Sequence, residues 1–462
     1  MTKFIFYDTE TTGKDHRDFI QVIQIASILS DTNFNLIEKL DLSCRPLPWT
    51  LVTTGALLTN KKYDVFDNEV THYEMTKNWY SAWKSWTNDE DCTFVSYNGL
   101  YFDEEIIRRQ FYWNLFNPYI TNTEGNSRLD LMPKMYVIGA FYKDRFSIPL
   151  VKEKPSYRLE LLAKSLGLDS HNAHDALADC VFLMELQKKI ANIAPNFYQE
   201  MINSCTKENH LSLLTSENIH ISVTRYGNYF PYTALFSPNY KSPKIPIFNL
   251  NFDPKDYVHL SLPDLEEEIL RKKDSPVKWI KLGSTLPSIG LNSLLNDGYS
   301  LNLDDGYQKR CEFLTNCPDF IDKLYHIEVN KEHPFYDDST YEQQIYSGGF
   351  PSKATYDAFN KFHNAKTIQE KLNSLNIFPE TRYKDFAKRI CAQLYPDDIP
   401  REFLEYCTKL VRERFSTDGP WPNAINELDE AKAKILSTND ELQQQVINRV
   451  IYDINEKSKN NL

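Results

Sequence analysis

"KFIFYDTETTG", residues 3–13, begins as apolar strand material and ends in Asp8-Thr9-Glu10, followed by Thr11, Thr12 and Gly13. Phe4, Ile5, Phe6 and Tyr7 predict a central strand buried on both faces of a sheet. Side chains alternate along a strand, so Asp8 and Glu10 share one side at its C-terminal end. Two carboxylates held together favour protonation of one of them unless a cation neutralises the pair. Their hard oxygen donors suit Mg²⁺ or Mn²⁺. Standing alone, such a pair is more often a solvated strand end, so the reading depends on the rest of the chain.

Two other stretches supply what the first lacks. "VSYNGLYFDEEIIRR" (95–109) places Asp103 at the start of a helix, after a strand and a turn at Asn98–Gly99. Acids are common in first helical turns, and alone this one would be unremarked. "SHNAHDALADCVFLMEL" (170–186) holds His174 and Asp179 at the start of an amphipathic helix. Five positions turn through about 140° in a regular helix, so the two would not share a face. His174 is therefore expected in the first turn or the loop before it, over a site into which Asp179 points. A capping histidine and a surface Asp are the plain alternative; His171 reads as a residue that caps or lines the loop. Together the stretches offer four carboxylates and one histidine. Phosphodiester hydrolysis calls for such a set: two divalent ions about 4 Å apart activate water and stabilise the leaving oxygen, and a near-neutral histidine takes the proton. In this reading Asp8 bridges the ions, Glu10 and Asp179 complete the first shell, and Asp103 serves the second ion directly or through water.

The rest of the chain sets the frame. At 462 residues it is long enough for two to four domains. Hydrophobic residues make up 41% and charged residues 25%, as in a water-soluble protein. No run approaches the roughly 18 apolar residues of a membrane helix, and no signal peptide is visible, so a cytoplasmic location without membrane attachment is expected. Eight scattered cysteines with no C-x-x-C predict free or buried thiols instead of disulfides or a zinc site. A net charge of −12 leans against a polyanionic partner, although a local basic groove can coexist with an acidic whole.

Residues 1–201 read as an α/β unit. Its strands are expected at Phe4–Tyr7, Val22–Leu29, Leu40–Cys44 and Cys92–Tyr97, and its helices near Asp103–Trp113, Leu129–Tyr142, Tyr157–Leu166 and Ala173–Ile193, with Ser156 as a cap. Residues 202–340 read as a small β-rich domain, an antiparallel barrel or open sheet with a helix at Leu262–Lys273. Residues 341–462 read as all-helical, with a Thr438–Glu441 capping box before the last helix. In "RYGNYFPYTALFSPNYKSPK" (225–244), basic and aromatic residues interleave. Tyr226 and Tyr229 are candidate base-stacking rings, against the alternative of an aromatic hairpin core. Arg128 and Arg158 are candidate phosphate contacts.

"DTETTG" (8–13), "NGLYFDEEIIRRQF" (98–111) and "HNAHDALAD" (171–179) resemble the three motifs of the DEDD exonuclease superfamily, in its histidine-bearing branch. The resemblance implies a ribonuclease H-like fold with a mixed sheet of about five strands. It also implies metal ligands at Asp8, Glu10, Asp103 and Asp179, a general base at His174, and terminal-nucleotide contacts at Thr11, Thr12, Gly13, Asn98 and Phe102. Length and order of textures resemble the bacterial exonuclease I family, as do "NSRLDLM" (126–132), "SYRLELLAKSLGL" (156–168), "SPVKWIKL" (275–282) and "QIYSGGF" (344–350). That family implies a Src-homology-type second domain and a helical third. Its activity is Mg²⁺-dependent, processive 3′→5′ removal of 5′-mononucleotides from single-stranded DNA, in repair and recombination. Two Mg²⁺ ions, replaceable by Mn²⁺, are implied, as are a monomeric state and binding to the acidic C-terminal tail of single-stranded DNA-binding protein. The competing readings are an RNA-directed exonuclease of the same branch and a non-catalytic nucleic-acid-binding scaffold.

Overall fold

A computed structural model describes residues 3–168, 175–270, 272, 274–301, 303–331 and 340–459. The first sheet contains β1 (Lys3–Thr11), β2 (Val22–Ser30), β3 (Leu36–Ser43), β4 (Cys92–Ser96) and β5 (Ser127–Asp130), in the order β3-β2-β1-β4-β5. β2 and β3 run antiparallel to their neighbours, whereas β1, β4 and β5 are mutually parallel, so the sheet is mixed. β1 is central, as its apolar run predicts. It continues through Glu10 to Thr11, beyond the expected end at Tyr7.

Alternation along β1 builds two cores. Phe4 and Phe6 join Ala26, Ile28, Val95 and Leu129 beneath α4 (Leu131–Phe141) and α6 (Ala176–Ile193). Ile5 and Tyr7 face the other way, joining Ile25, Leu29 and Phe94 beneath α2 (His72–Trp86) and α3 (Asp103–Trp113). α2 was not expected from sequence, yet it carries both halves of a capping box, Thr71 and Glu74, and a buried stripe of Met75, Trp79, Trp83 and Trp86. Trp83 is fully buried; its ring meets Tyr7 at 5.5 Å, Trp79 at 5.1 Å and Phe94 at 4.8 Å, and its Nε1–H donates to Ser27 Oγ at 3.0 Å.

Three local expectations are corrected. The helix expected from Leu129 begins at Leu131, because Ser127–Asp130 pairs with Thr93–Ser96 as the fifth strand. Asp130 ends that strand and caps α4, accepting from Met132 N at 3.0 Å. α5 (Leu159–Ser165) has Arg158, not Ser156, at its N-cap. The last helix, Glu441–Ser458, is capped by Asp440, which accepts from Leu442 N and Gln443 N, while Thr438 ends the helix before it.

The second sheet is five-stranded, antiparallel and open. It contains β6 (His220–Val223), β7 (Tyr229–Ala234), β8 (Lys244–Asn249), β9 (Val277–Lys281) and β10 (Ser288–Gly290), in the order β9-β8-β7-β6-β10. Residues 202–340 also hold helices that were not expected, among them Lys207–Ser216, Asp305–Thr315 and Pro318–Val329; the expected helix at Leu262–Lys273 is present over Leu262–Leu270, and Arg271 and Lys273 lie outside the described residues. The apolar core under α4 and α6 continues through Phe197 and Met201 into Ile221, Phe248 and Leu324. From Lys353 onward the described chain is helical. Its helices pack on the first sheet's surroundings through Tyr112 with Phe359 and Phe386, and through Leu47 and Trp49 with Leu410 and Val450. All eight cysteines are free thiols.

Trp83→Ala removes the largest contact of the second core and orphans the Ser27 hydroxyl. It is expected to cost about 3–5 kcal/mol, read from the urea midpoint, with Trp83→Phe falling between it and the parent.

Candidate active site

Asp8 and Glu10 lie on the β1 face covered by α6. Their partners across β2 are Ala26 and Gln24, and a bulge between Glu10 and Thr11 then breaks the ladder. Asp179 lies in the first turn of α6, whose N-cap Asp175 accepts from Leu177 N at 3.2 Å and Ala178 N at 3.4 Å. One carboxylate oxygen from each of Asp8, Glu10 and Asp179 lies within 4.8 Å of the others. The sheet face, the strand's end and the helix's start thus deliver three acids to one point.

Asp103 lies outside that 4.8 Å group but close to it. It is the first residue of α3, it is buried, and it accepts from the hydroxyl of Thr9, which lies between the two acids in sequence and projects from the opposite face of β1. The turn before α3 is held by Asp130, which sequence reading missed. Its carboxylate accepts from Asn98 N at 2.7 Å and Leu100 N at 3.3 Å, and Asn98 takes a left-handed φ of 58°. The only sequence signal was Asp130's place in "NSRLDLM". His174 and His171 lie outside the described residues.

The electrostatics are those of a site built for cations. Burial, then Asp103, Asp179 and Glu10, push the Asp8 carboxyl well above the carboxylate range. Glu10 is pushed up to about 9 by burial and then by Asp179, with Lys62 acting against them. Lys62 pairs with Asp175 at 3.0 Å. Asp103 is raised to about 6 by burial, the Thr9 bond opposing. Like-charged oxygens this close cannot all ionise unless cations sit among them. The donor set, carboxylates only, therefore fits hard divalent ions.

Beside the acids a cleft of about 920 Å³ opens between the first domain and the C-terminal helices. Glu10, Thr11, Gly13 and Phe102 line one side, Trp421 and Asn426 the other. Thr11 Oγ1 donates to Gly13 O at 2.7 Å, and Thr12 Oγ1 accepts from Gln21 N at 3.1 Å. A Cβ on Gly13 would meet nothing closer than Thr53 at 3.5 Å, so the protein itself places no demand for glycine there. Arg128 is tied to the buried Glu104 at 2.8 Å, and Arg158 is solvent-exposed. Tyr226 and Tyr229 are exposed on the β6–β7 hairpin, Tyr229 against Phe141 at 5.4 Å.

A raised carboxyl value means that the folded, metal-free chain holds its proton more tightly than the unfolded chain does. Its stability is full below the ordinary carboxylate range and falls as pH rises toward about 9. The metal-free melting temperature should therefore drop between about pH 5 and pH 9, as scanning calorimetry would record. Glu10→Gln should flatten that slope and raise the metal-free value at alkaline pH by about 2–4 °C.

The family model described as exonuclease matches residues 5–186. Exodeoxyribonuclease I of Escherichia coli is 25% identical over 375 residues, covering 75% of this chain and 76% of its own. The exodeoxyribonuclease I of Buchnera aphidicola from Schizaphis graminum is 24% identical over 461 residues, covering 90% and 88%. The crystal structure of E. coli exonuclease I with a dA16 oligonucleotide superposes with a TM-score of 0.83 at 21% identity, over 99% of this chain and all of that one. Exonuclease I from Methylocaldum szegediense gives 0.82 at 20% identity, over 99% and 100%. The exonuclease family model thus covers residues 5–186, and the chain is similar to bacterial exonuclease I over most of its length.

Proposed function

We propose that this protein is a divalent-metal-dependent exodeoxyribonuclease that degrades single-stranded DNA from the 3′ end, processively, to 5′-mononucleotides. The observation that carries this reading is the convergence of Asp8, Glu10 and Asp179 at the edge of the cleft, with Asp103 beside them. The E. coli relative was crystallised with single-stranded DNA, including a zinc-bound complex.

In this reading Asp8, Glu10 and Asp179 hold one ion and Asp103 serves a second, Mg²⁺ being the natural choice and Mn²⁺ its substitute. The bound ions would lower the pKa of the attacking water and offset charge on the departing oxygen. The chain's own residues do the rest. His174 takes the water's proton. Thr9 holds Asp103 toward β1, and Asp130 holds the Asn98–Leu100 turn that sets the start of α3. Thr11, Thr12, Gly13 and Phe102 border the space for the terminal nucleotide.

The net charge is −12. Burial lowers the Lys281 ammonium, and Arg128, Arg108, Lys207 and Lys244 lower it further, while Arg128 and Arg108 are themselves paired with Glu104 and Lys244 with Glu328. Lys278 lies over Phe230 at 5.3 Å on the same sheet. With exposed Tyr226 and Tyr229, this surface offers charge and stacking to a single strand without reading its sequence. The division at residues 201 and 340, a monomeric state, a role in repair, and docking of the acidic tail of single-stranded DNA-binding protein complete the proposal. Among the described residues no helix is long and apolar enough to cross a membrane.

The decisive experiment digests single-stranded DNA and RNA of one sequence with Mg²⁺, with EDTA, and with the Asp179→Ala variant. Mononucleotides should accumulate from DNA while untouched substrate persists in the presence of a competitor trap. EDTA should abolish cleavage, and Asp179→Ala should reduce it by about 10³-fold or more. Faster RNA cleavage would favour the RNA-directed reading; DNA binding without metal-dependent cleavage in the parent would favour the scaffold.

A further inference from the structure

α1 (Thr54–Asn60) is a seven-residue helix whose first amide groups need acceptors from outside it. Thr53 Oγ1 accepts from Ala56 N at 3.3 Å. The Thr54 amide is met by a residue 373 positions away: Glu427 Oε1, on the helix Ala424–Ser437, accepts it at 2.7 Å. Glu427 is 7% exposed, and Lys434 of the same helix brings its Nζ to 3.3 Å from where a Cβ on Gly55 would stand. The C-terminal helices are therefore seated on the start of α1.

α1 in turn grips the strand that carries the acids. Thr53 N and Thr53 Oγ1 both donate to Thr12 O, at 2.8 and 3.1 Å. From the far end of α1, Asn60 Nδ2 donates to Thr11 O at 3.2 Å. Thr11 and Thr12 follow Glu10 directly, past the bulge where the β1–β2 register shifts. The segment after the bulge depends on Thr53 and α1 for donor partners that a regular ladder would otherwise supply.

We infer that Glu427 is a positioning residue: seated on Thr54, it fixes α1 against Thr11 and Thr12 and so holds Glu10 and Asp8 at the geometry the reaction needs. Glu427 Oε1 is committed to the Thr54 amide, and it acts through that amide. The role rests on the exonuclease reading for its effect on rate, but not for its effect on the strand.

The test uses the full-length chain with Glu427→Ala and Glu427→Gln, since the glutamine carbonyl can still accept from Thr54. Rates are measured with Mg²⁺ on a trinucleotide and on a long single strand, and amide exchange at Thr12 and Thr53 is measured without metal. Glu427→Ala should lower kcat about 10–100-fold on both substrates, with KM within about threefold, because misplaced groups lose rate more than binding. Exchange at Thr12 and Thr53 should quicken, and Glu427→Gln should match the parent in every readout. Parent-like kcat and protection in Glu427→Ala would overturn the inference. So would equal damage from Glu427→Gln, or a loss confined to the long strand. Should the parent cleave no single-stranded DNA, the exonuclease reading falls, and exchange at Thr12 and Thr53 alone decides for or against the link from Glu427 to the strand.

Discussion

Mutual repulsion among four carboxylates, one buried and three half-buried, is the constraint to which this structure answers. Asp8, Glu10, Asp103 and Asp179 are brought within reach of one another although each raises the cost of ionising its neighbours. Among the described residues, Lys62 opposes it at Glu10 and the Thr9 hydroxyl opposes it at Asp103. Lys62 is the cation that Glu10 senses, and it is engaged with Asp175. The acids stay together because each is fixed by something stronger than their repulsion. β1 is clamped between β2 and β4 with apolar cores on both faces, α3 is pinned by Thr9 and by the Asp130-held turn, and α6 packs its length across the sheet. Strain of this kind is characteristic of sites that await a charged ligand, and it makes the rigidity of the sheet part of the chemistry.

The parts of the site that were legible in the sequence are those that chemistry fixes by residue type. Asp8 and Glu10 could be paired from strand alternation alone, and Asp103 and Asp179 from their positions at helix starts. Asp130 was not legible, for a physical reason. β5 has only four residues, and its apolar pattern runs into that of α4 without a break, so Leu129 reads equally well as strand or helix. The side chain that ends one element also caps the next, and no turn residue marks the change. α2 was legible in principle, through Thr71, Glu74 and its aromatic stripe, but the aromatic residues that define it are also those favoured in strands.

The second region shows the same limit from the other side. Alternating runs such as Val277–Lys281 advertised the sheet, whereas a helix as short as Leu291–Asn296 is too brief to establish a 3.6-residue period. Capping residues were misplaced at Ser156 and Thr438, where an acid or backbone group nearby did the work instead. Long-range partners had no signature at all. Neither Lys62 nor Glu427 stands in a motif, and each acquires meaning only from what the fold sets against it.

The contact between Thr54 and Glu427 also bears on how the protein comes into being. A chain emerging from the ribosome at roughly 5–20 residues per second would present Thr54 for roughly 20–75 s before Glu427 existed to meet it. During that interval the first sheet can assemble, since its strands all lie within the first 130 residues, but the stretch beyond the Glu10 bulge lacks one of its supports. The order of synthesis thus separates the birth of the scaffold from the maturation of its acidic centre. A nascent chain tethered among messenger and ribosomal nucleic acid carries the acids well before it carries the last part of their frame.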